Sequence, residues 1–178
     1  EWSFHCVKLQ IYAMTLSVNG ADDKQEPGLY YKSHFLADEK AAPMIASYGV
    51  ALSVIDNPTE RNLETKCCYS TFTGFESGPY GNLGNNSSTL LTGIMKNTNE
   101  EKTNRRNLAM DIYGRAYAKT TDGQILFGVG VCRSLAQQLQ DIDGMVSSLS
   151  EVQVSAFTKL YNKFKGILAD YDLPGIKS

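Results

Sequence analysis

Histidine is nearly missing from this chain: His5 and His34 are the only two among 178 residues. They stand apart, so no H-E-x-x-H pair is available to hold a catalytic metal. The same scarcity leaves few ways to assemble a Ser-His-Asp arrangement. The nearest string to a nucleophile elbow, Gly74-Phe75-Glu76-Ser77-Gly78, has its serine in the wrong place. There is no phosphate-cradling G-x-x-x-x-G-K-[ST] motif, and Gly128-Val129-Gly130 falls inside a strand-like run, where glycine marks a bulge or a close backbone approach. No basic excess exists: 17 Lys and Arg face 19 Asp and Glu, a net charge of -2, and the sequence pI is near 5.7. That balance excludes the basic stripe of a nucleic-acid binder and a polybasic membrane anchor. No apolar run approaches the ~18 residues of a membrane span. The opening EWSFHCVKLQIY has no Met, basic region or apolar region of a leader, and reads as an excised domain or a processed chain.

Cysteine is sparse as well. Cys6, Cys67, Cys68 and Cys132 contain no C-x-x-C, which argues against a zinc site. They read either as buried thiols behaving as small hydrophobes or as one disulfide, from Cys6 to Cys67 or Cys68. Carboxylates are the remaining source of chemistry. Glu60 and Glu64, however, alternate with Arg61 and Lys66 in TERNLETK, the composition of a solvated turn, and Asp22-Asp23 and Asp56-Asn57 lack the spacing of a calcium loop. These absences predict a protein that is not an enzyme, with no cofactor and no metal.

What is present is an ordinary globular composition, 42% apolar and 20% charged. Strand-like runs are VKLQIYAMTLSV, GLYYKSHFL, SYGVALSVI, CCYSTFT and LLTGIMK. LAMDIYGRAYAK follows, putting Leu108, Met110, Ile112, Gly114 and Ala116 on one face and Ala109, Asp111, Tyr113, Arg115 and Tyr117 on the other. Asp122-Gly123 then separates it from ILFGVGV, a strong hairpin signal. After Cys132 the period changes to that of helices. Ser134 caps SLAQQLQDID, and Ser150 with Gln153 makes a capping box. Beyond it Val154, Phe157, Leu160, Tyr161, Phe164, Ile167, Leu168 and Tyr171 make one stripe, stopped at Leu173-Pro174-Gly175. The expected fold is α+β, an antiparallel sheet or sandwich of roughly seven strands with two C-terminal helices packed on it. It forms one domain over 1–178, β-rich over 5–132 and helical over 134–172.

Two polar stretches look longer than a domain of this size needs, and such loops are usually functional or disordered. One is residues 74–87, glycine- and asparagine-rich with Phe75, Tyr80 and Asn82; the other is residues 97–107, NTNEEKTNRRN, with Arg105 and Arg106. Aromatic anchors amid Ser, Gly and Asn, and arginines on loops, are the residue types of recognition surfaces. The second candidate surface is the sheet row Tyr113, Arg115 and Tyr117. Either this row is exposed and suited to protein or sugar contacts, or it is covered and structural.

GLYYKSHF, SYGVALSVIDNP, STLLTGIMK, YGRAYAKTTDGQILFG and FTKLYNKFKGILADYDLPGIK resemble a module of large secreted multidomain proteins of gut-dwelling anaerobic Gram-positive bacteria. The likeness spans nearly the whole chain. It implies an extracellular or wall-attached location within a larger multidomain protein, beside immunoglobulin-like domains, and transfers no binding residues. Some surface proteins of such commensals bind host immunoglobulin variable regions in the manner of a superantigen. Binding of a host protein of that kind is therefore the expected function. Carbohydrate binding and a spacer role without a ligand are the alternatives.

Overall fold

The computed structural model describes residues 8–17, 28–37, 40–69, 71–73, 76–78, 81–83, 87–90, 101–163 and 165–177. The class is α+β. The chain divides into two compact units: one gathers residues 1–13, 31–89 and 112–132, the other 14–30, 90–111 and 133–178.

The first unit is built on an open antiparallel sheet. Its strands are β3 (Ile45–Ser53), β4 (Cys68–Tyr69), β8 (Ile112–Thr120) and β9 (Ile125–Arg133), in the order β4-β3-β8-β9. Strands β1 (Lys8–Ser17), β2 (Gly28–Leu36), β5 (Glu76–Gly78), β6 (Gly81–Leu83) and β7 (Ser87–Leu90) pair separately. Their path is β1-β2-β6-β5, with β7 on β2. The expected seven-stranded sheet or sandwich is therefore corrected. The sequence-distant β3 and β8 pair with each other, in the register Tyr48↔Ala118, Val50↔Ala116 and Leu52↔Gly114. The hairpin turn forms where Asp122-Gly123 predicts: Gly123 takes φ +88°, a conformation glycine adopts without steric cost, and its N–H donates to the Thr120 carbonyl at 3.0 Å.

Alternation gives this sheet two faces. On one, Tyr48, Val50, Leu52, Ile112, Ala116 and Ala118 are buried. Phe35 stacks on Tyr48 with ring centroids 4.9 Å apart, and Tyr48 meets Phe72 at 6.1 Å. Tyr31 lies over Gly114, and its hydroxyl donates to the Ile112 carbonyl. The other face packs Ala51 and Tyr117 against Leu63 of α1 (Leu63–Lys66), with Cys67, Ile125 and Phe127 around them.

The second unit holds the longer helices. Ser134 caps α3 (Leu135–Gly144) through a complete capping box. Its hydroxyl accepts from the Gln137 N–H at 3.2 Å, and Gln137 Oε1 accepts from the Ser134 N–H at 2.9 Å. At the start of α4 (Glu151–Lys163), Gln153 Oε1 accepts from the Ser150 N–H at 2.9 Å. Phe157, Leu160, Ile167 and Leu168 of the predicted stripe are buried. Helix α5 spans Lys165–Leu168. Two expectations are corrected here. More than two helical segments follow the sheet, and Pro174 begins one, α6 (Pro174–Lys177), instead of stopping the helical stripe. Proline suits a first helical turn, where its missing N–H costs nothing, and the Gly175 N–H donates to the Asp143 carboxylate at 2.8 Å.

Residues 97–107, read as a loop, also need correction, because α2 occupies Glu101–Ala109. Thr103, Asn104 and Asn107 are weak helix formers and hid a segment that Glu, Lys and Arg support. Leu108, expected at the start of the following strand, closes this helix fully buried.

Candidate functional site

The row Tyr113, Arg115 and Tyr117 is brought together on one face of β8, as strand alternation requires. It is not an open platform. Tyr117 is 2% exposed. Its hydroxyl lies 3.0 Å from Thr71 Oγ1, and its ring meets Tyr69 edge-on at 5.9 Å. Burial pushes the Tyr117 phenol above its ordinary pKa, and the Thr71 bond offsets part of that rise. The covering groups are Leu63 and Tyr69, which arrive on α1 and β4.

Arg115 is bound from several sides. Its Nε donates to the Gly128 carbonyl at 2.7 Å and its Nη1 to the Pro58 carbonyl at 3.1 Å. Its guanidinium carbon sits 4.8 Å from the Phe127 ring centroid, within cation–π range. Pro58 is presented by a braced turn. Ser53 Oγ accepts from the Ile55 and Asp56 N–H groups at 3.2 and 3.3 Å, and the Asn62 amide donates to the Asn57 carbonyl at 3.0 Å. A Cβ at Gly130 would stand 2.7 Å from Asn57 Oδ1, so this glycine permits the close approach its sequence position suggested. Tyr113 is half-buried opposite Ser53.

At the rim, Lys119 Nζ reaches Glu64 Oε1 at 3.0 Å, and that bond raises the lysine's pKa. Cys67 is a half-buried free thiol whose Sγ donates to Asn62 Oδ1 at 3.6 Å. Burial, then the neighbouring Cys68, raises its pKa. Cys68 is an exposed free thiol. Cys6, the other half of the expected disulfide, lies outside the described residues.

The remaining candidates are elsewhere. Arg105, on α2, forms an ion pair with Asp170 and reaches the Gly166 carbonyl at 3.5 Å. Arg106 follows it, exposed in the last turn. Asn82 lies on β6 opposite Ser77, within what was read as a loop. Phe75 and Tyr80 lie outside the described residues. Among the described residues, no three of His, Cys, Asp and Glu gather as a metal site would require, and no helix is long and apolar enough to cross a membrane. Sequence reasoning missed the exposed apolar positions Val54, Ile55, Leu126 and Val129. The uncharged run ILFGVGV was the available signal for the last two. Comparison with family models, with curated proteins and with solved structures finds no match to this chain.

Proposed function

We propose that this chain is a non-catalytic structural module of a larger extracellular protein, its central sheet closed by its own side chains. The observation that carries this reading is the state of the β8 row. Tyr117 is buried and bonded to Thr71, while Arg115 is committed to two backbone carbonyls and to Phe127. A ligand engaging those groups would have to break bonds that hold the sheet and its covering turn together. The extracellular setting rests on the resemblance of the sequence to modules of secreted multidomain proteins. A sugar platform on this face loses its main support, because the aromatic that would carry it is covered.

The test is direct. The folded chain, immobilised, is exposed to polyclonal immunoglobulin and to a glycan array at micromolar concentration. No saturable binding is expected, and saturable binding to either would overturn the structural reading.

A second reading, capture of host protein such as immunoglobulin variable regions, keeps its footing in Arg106. That side chain is exposed on α2, and arginine is over-represented among residues that dominate interfaces. In that case Arg106→Ala and Tyr80→Ala should each weaken binding while the circular dichroism spectrum is unchanged. Undiminished binding in both variants would reject it.

A further inference from the structure

Cys67 and Cys68 are neighbours in sequence, and both are free thiols. They stand where α1 passes into β4: Cys67 is the C-cap of α1 in extended backbone, at φ -111° and ψ 144°, and Cys68 opens β4. Extended backbone turns adjacent side chains to opposite sides, and the two sulfurs differ accordingly. Cys67 is half-buried against the cluster of Ala51, Leu63 and Tyr117, its Sγ on Asn62 Oδ1 at 3.6 Å, whereas Cys68 is exposed. The sulfurs therefore cannot join while β4 keeps its place. What keeps it there is slight. The strand is two residues long, ends the sheet path, and pairs with β3 through Ala51↔Tyr69 and Leu52↔Cys68. Both of its residues are exposed.

We propose that Cys67 and Cys68 form a reversible redox switch, closing to a disulfide between neighbours that releases β4 from β3. A small-molecule disulfide such as oxidised glutathione is the oxidant. The exposed Cys68 thiolate attacks one of its sulfurs, forming a mixed disulfide and expelling one glutathione thiolate, which takes up the proton Cys68 has lost. The Cys67 thiolate then attacks the Cys68 sulfur, the Cys67–Cys68 bond forms, and the second glutathione leaves in the same way. Two protein thiols are oxidised and one external disulfide is reduced to two thiols. Exposure sets the order, with Cys68 attacking first and Cys67 resolving. Neighbouring Cα atoms stand about 3.8 Å apart, below the roughly 4.4–6.8 Å that disulfides usually span, so the ring is strained and returns readily to thiols. Closing it takes the Cys67 Sγ from Asn62 and turns Cys68 and Tyr69 out of register with β3. The Tyr69 ring, edge-on to Tyr117 in the thiol state, moves with them. Phe72 bounds the opening, because its N–H and carbonyl both pair with Tyr48, at 2.8 and 3.0 Å. The inference goes beyond the structural reading above and does not depend on it.

Incubation of the folded chain with oxidised glutathione, followed by peptide mapping and amide exchange, tests it. The peptide holding Cys67 and Cys68 should become lighter by two hydrogens and carry no glutathione. The amides of residues 67–69 should exchange about tenfold faster or more, and dithiothreitol should restore both. In Cys67→Ser the mixed disulfide should instead persist on Cys68. Unreacted thiols, glutathione retained on Cys68 of the unmodified chain, a bridge to Cys6 or Cys132, or a closed ring with unchanged exchange would each overturn the proposal. The unmodified chain gives the deciding result, so the test stands even where the variant fails to fold.

Discussion

The ring of Tyr31 occupies the space that a side chain at residue 114 would need: a Cβ on Gly114 would overlap Tyr31 Cδ1 and stand 3.1 Å from Leu52 Cδ2. Tyr31 is fully buried and its hydroxyl is spent on the Ile112 carbonyl, so the ring cannot swing away without losing that bond. Gly114→Ala should therefore destabilise the chain by about 3 kcal/mol, the scale of core overpacking. Urea unfolding measures it. Gly144→Ala is the contrasting control. No atom lies within 4 Å of the added Cβ, and the residue ends a helix without positive φ. It should stabilise by about 0.5 to 1 kcal/mol through lower unfolded-state entropy.

Tyr117 links packing to pH. Its folded pKa is raised above that of the unfolded chain, so the native state binds the phenolic proton more tightly. The associated stability is fully present below about pH 10 and is lost as pH rises towards and through the folded value. Tyr117→Phe should remove this alkaline loss, at a cost of about 1 kcal/mol at neutral pH for the missing Thr71 bond. Urea midpoints taken between about pH 8 and pH 11 check both effects. A variant with the same alkaline slope as the parent would contradict them.

Arg115→Lys should cost about 2 kcal/mol despite keeping the charge. An ammonium cannot reproduce the planar fork that reaches the Gly128 and Pro58 carbonyls together and lies against Phe127. The thermal midpoint should fall, and the amides of residues 54–58 should exchange faster than in the parent.

The pair Arg105–Asp170 should behave differently. Its side chains are 37% and 62% exposed, which leaves solvent to screen the attraction. Asp170→Asn should change stability by less than about 1 kcal/mol, and the difference should shrink further in high salt. Chemical denaturation at two salt concentrations tests this.

The adjacent thiols offer a kinetic contrast. Cys68 is exposed, whereas burial lifts the Cys67 thiol and lowers its thiolate fraction. With Cys67→Ser and Cys68→Ser compared under iodoacetamide at neutral pH, the chain retaining Cys68 should react faster.

Local signals in the sequence transferred well to the structure. Asp122-Gly123 announced its turn, Ser134 and Ser150 announced helix starts, and the alternation in DIYGRAYAK placed Ile112, Gly114 and Ala116 together on the buried side. Pairing was not legible, because nothing local in SYGVALSV says that its neighbour is YGRAYAK. The covering of Tyr117 was equally hidden. It depends on Leu63, set in a segment whose composition reads as a solvated turn, and on Tyr69 in a strand of two residues. Helix α2 was obscured by asparagine and threonine, whose low propensity tertiary contacts override.

The pairing of β3 with β8 also has a consequence for synthesis. Tyr31 and Ile112, which this pairing helps to bring together, are 81 positions apart, so the central sheet cannot close until the ribosome has delivered residues beyond 120. Until then β3 emerges with an apolar edge and no neighbour on that side, the kind of nascent segment that invites chaperones or misassembly. A stalled chain ending before Ile112 should for that reason be insoluble or chaperone-bound, and release should come within a few residues of the hairpin that supplies β8.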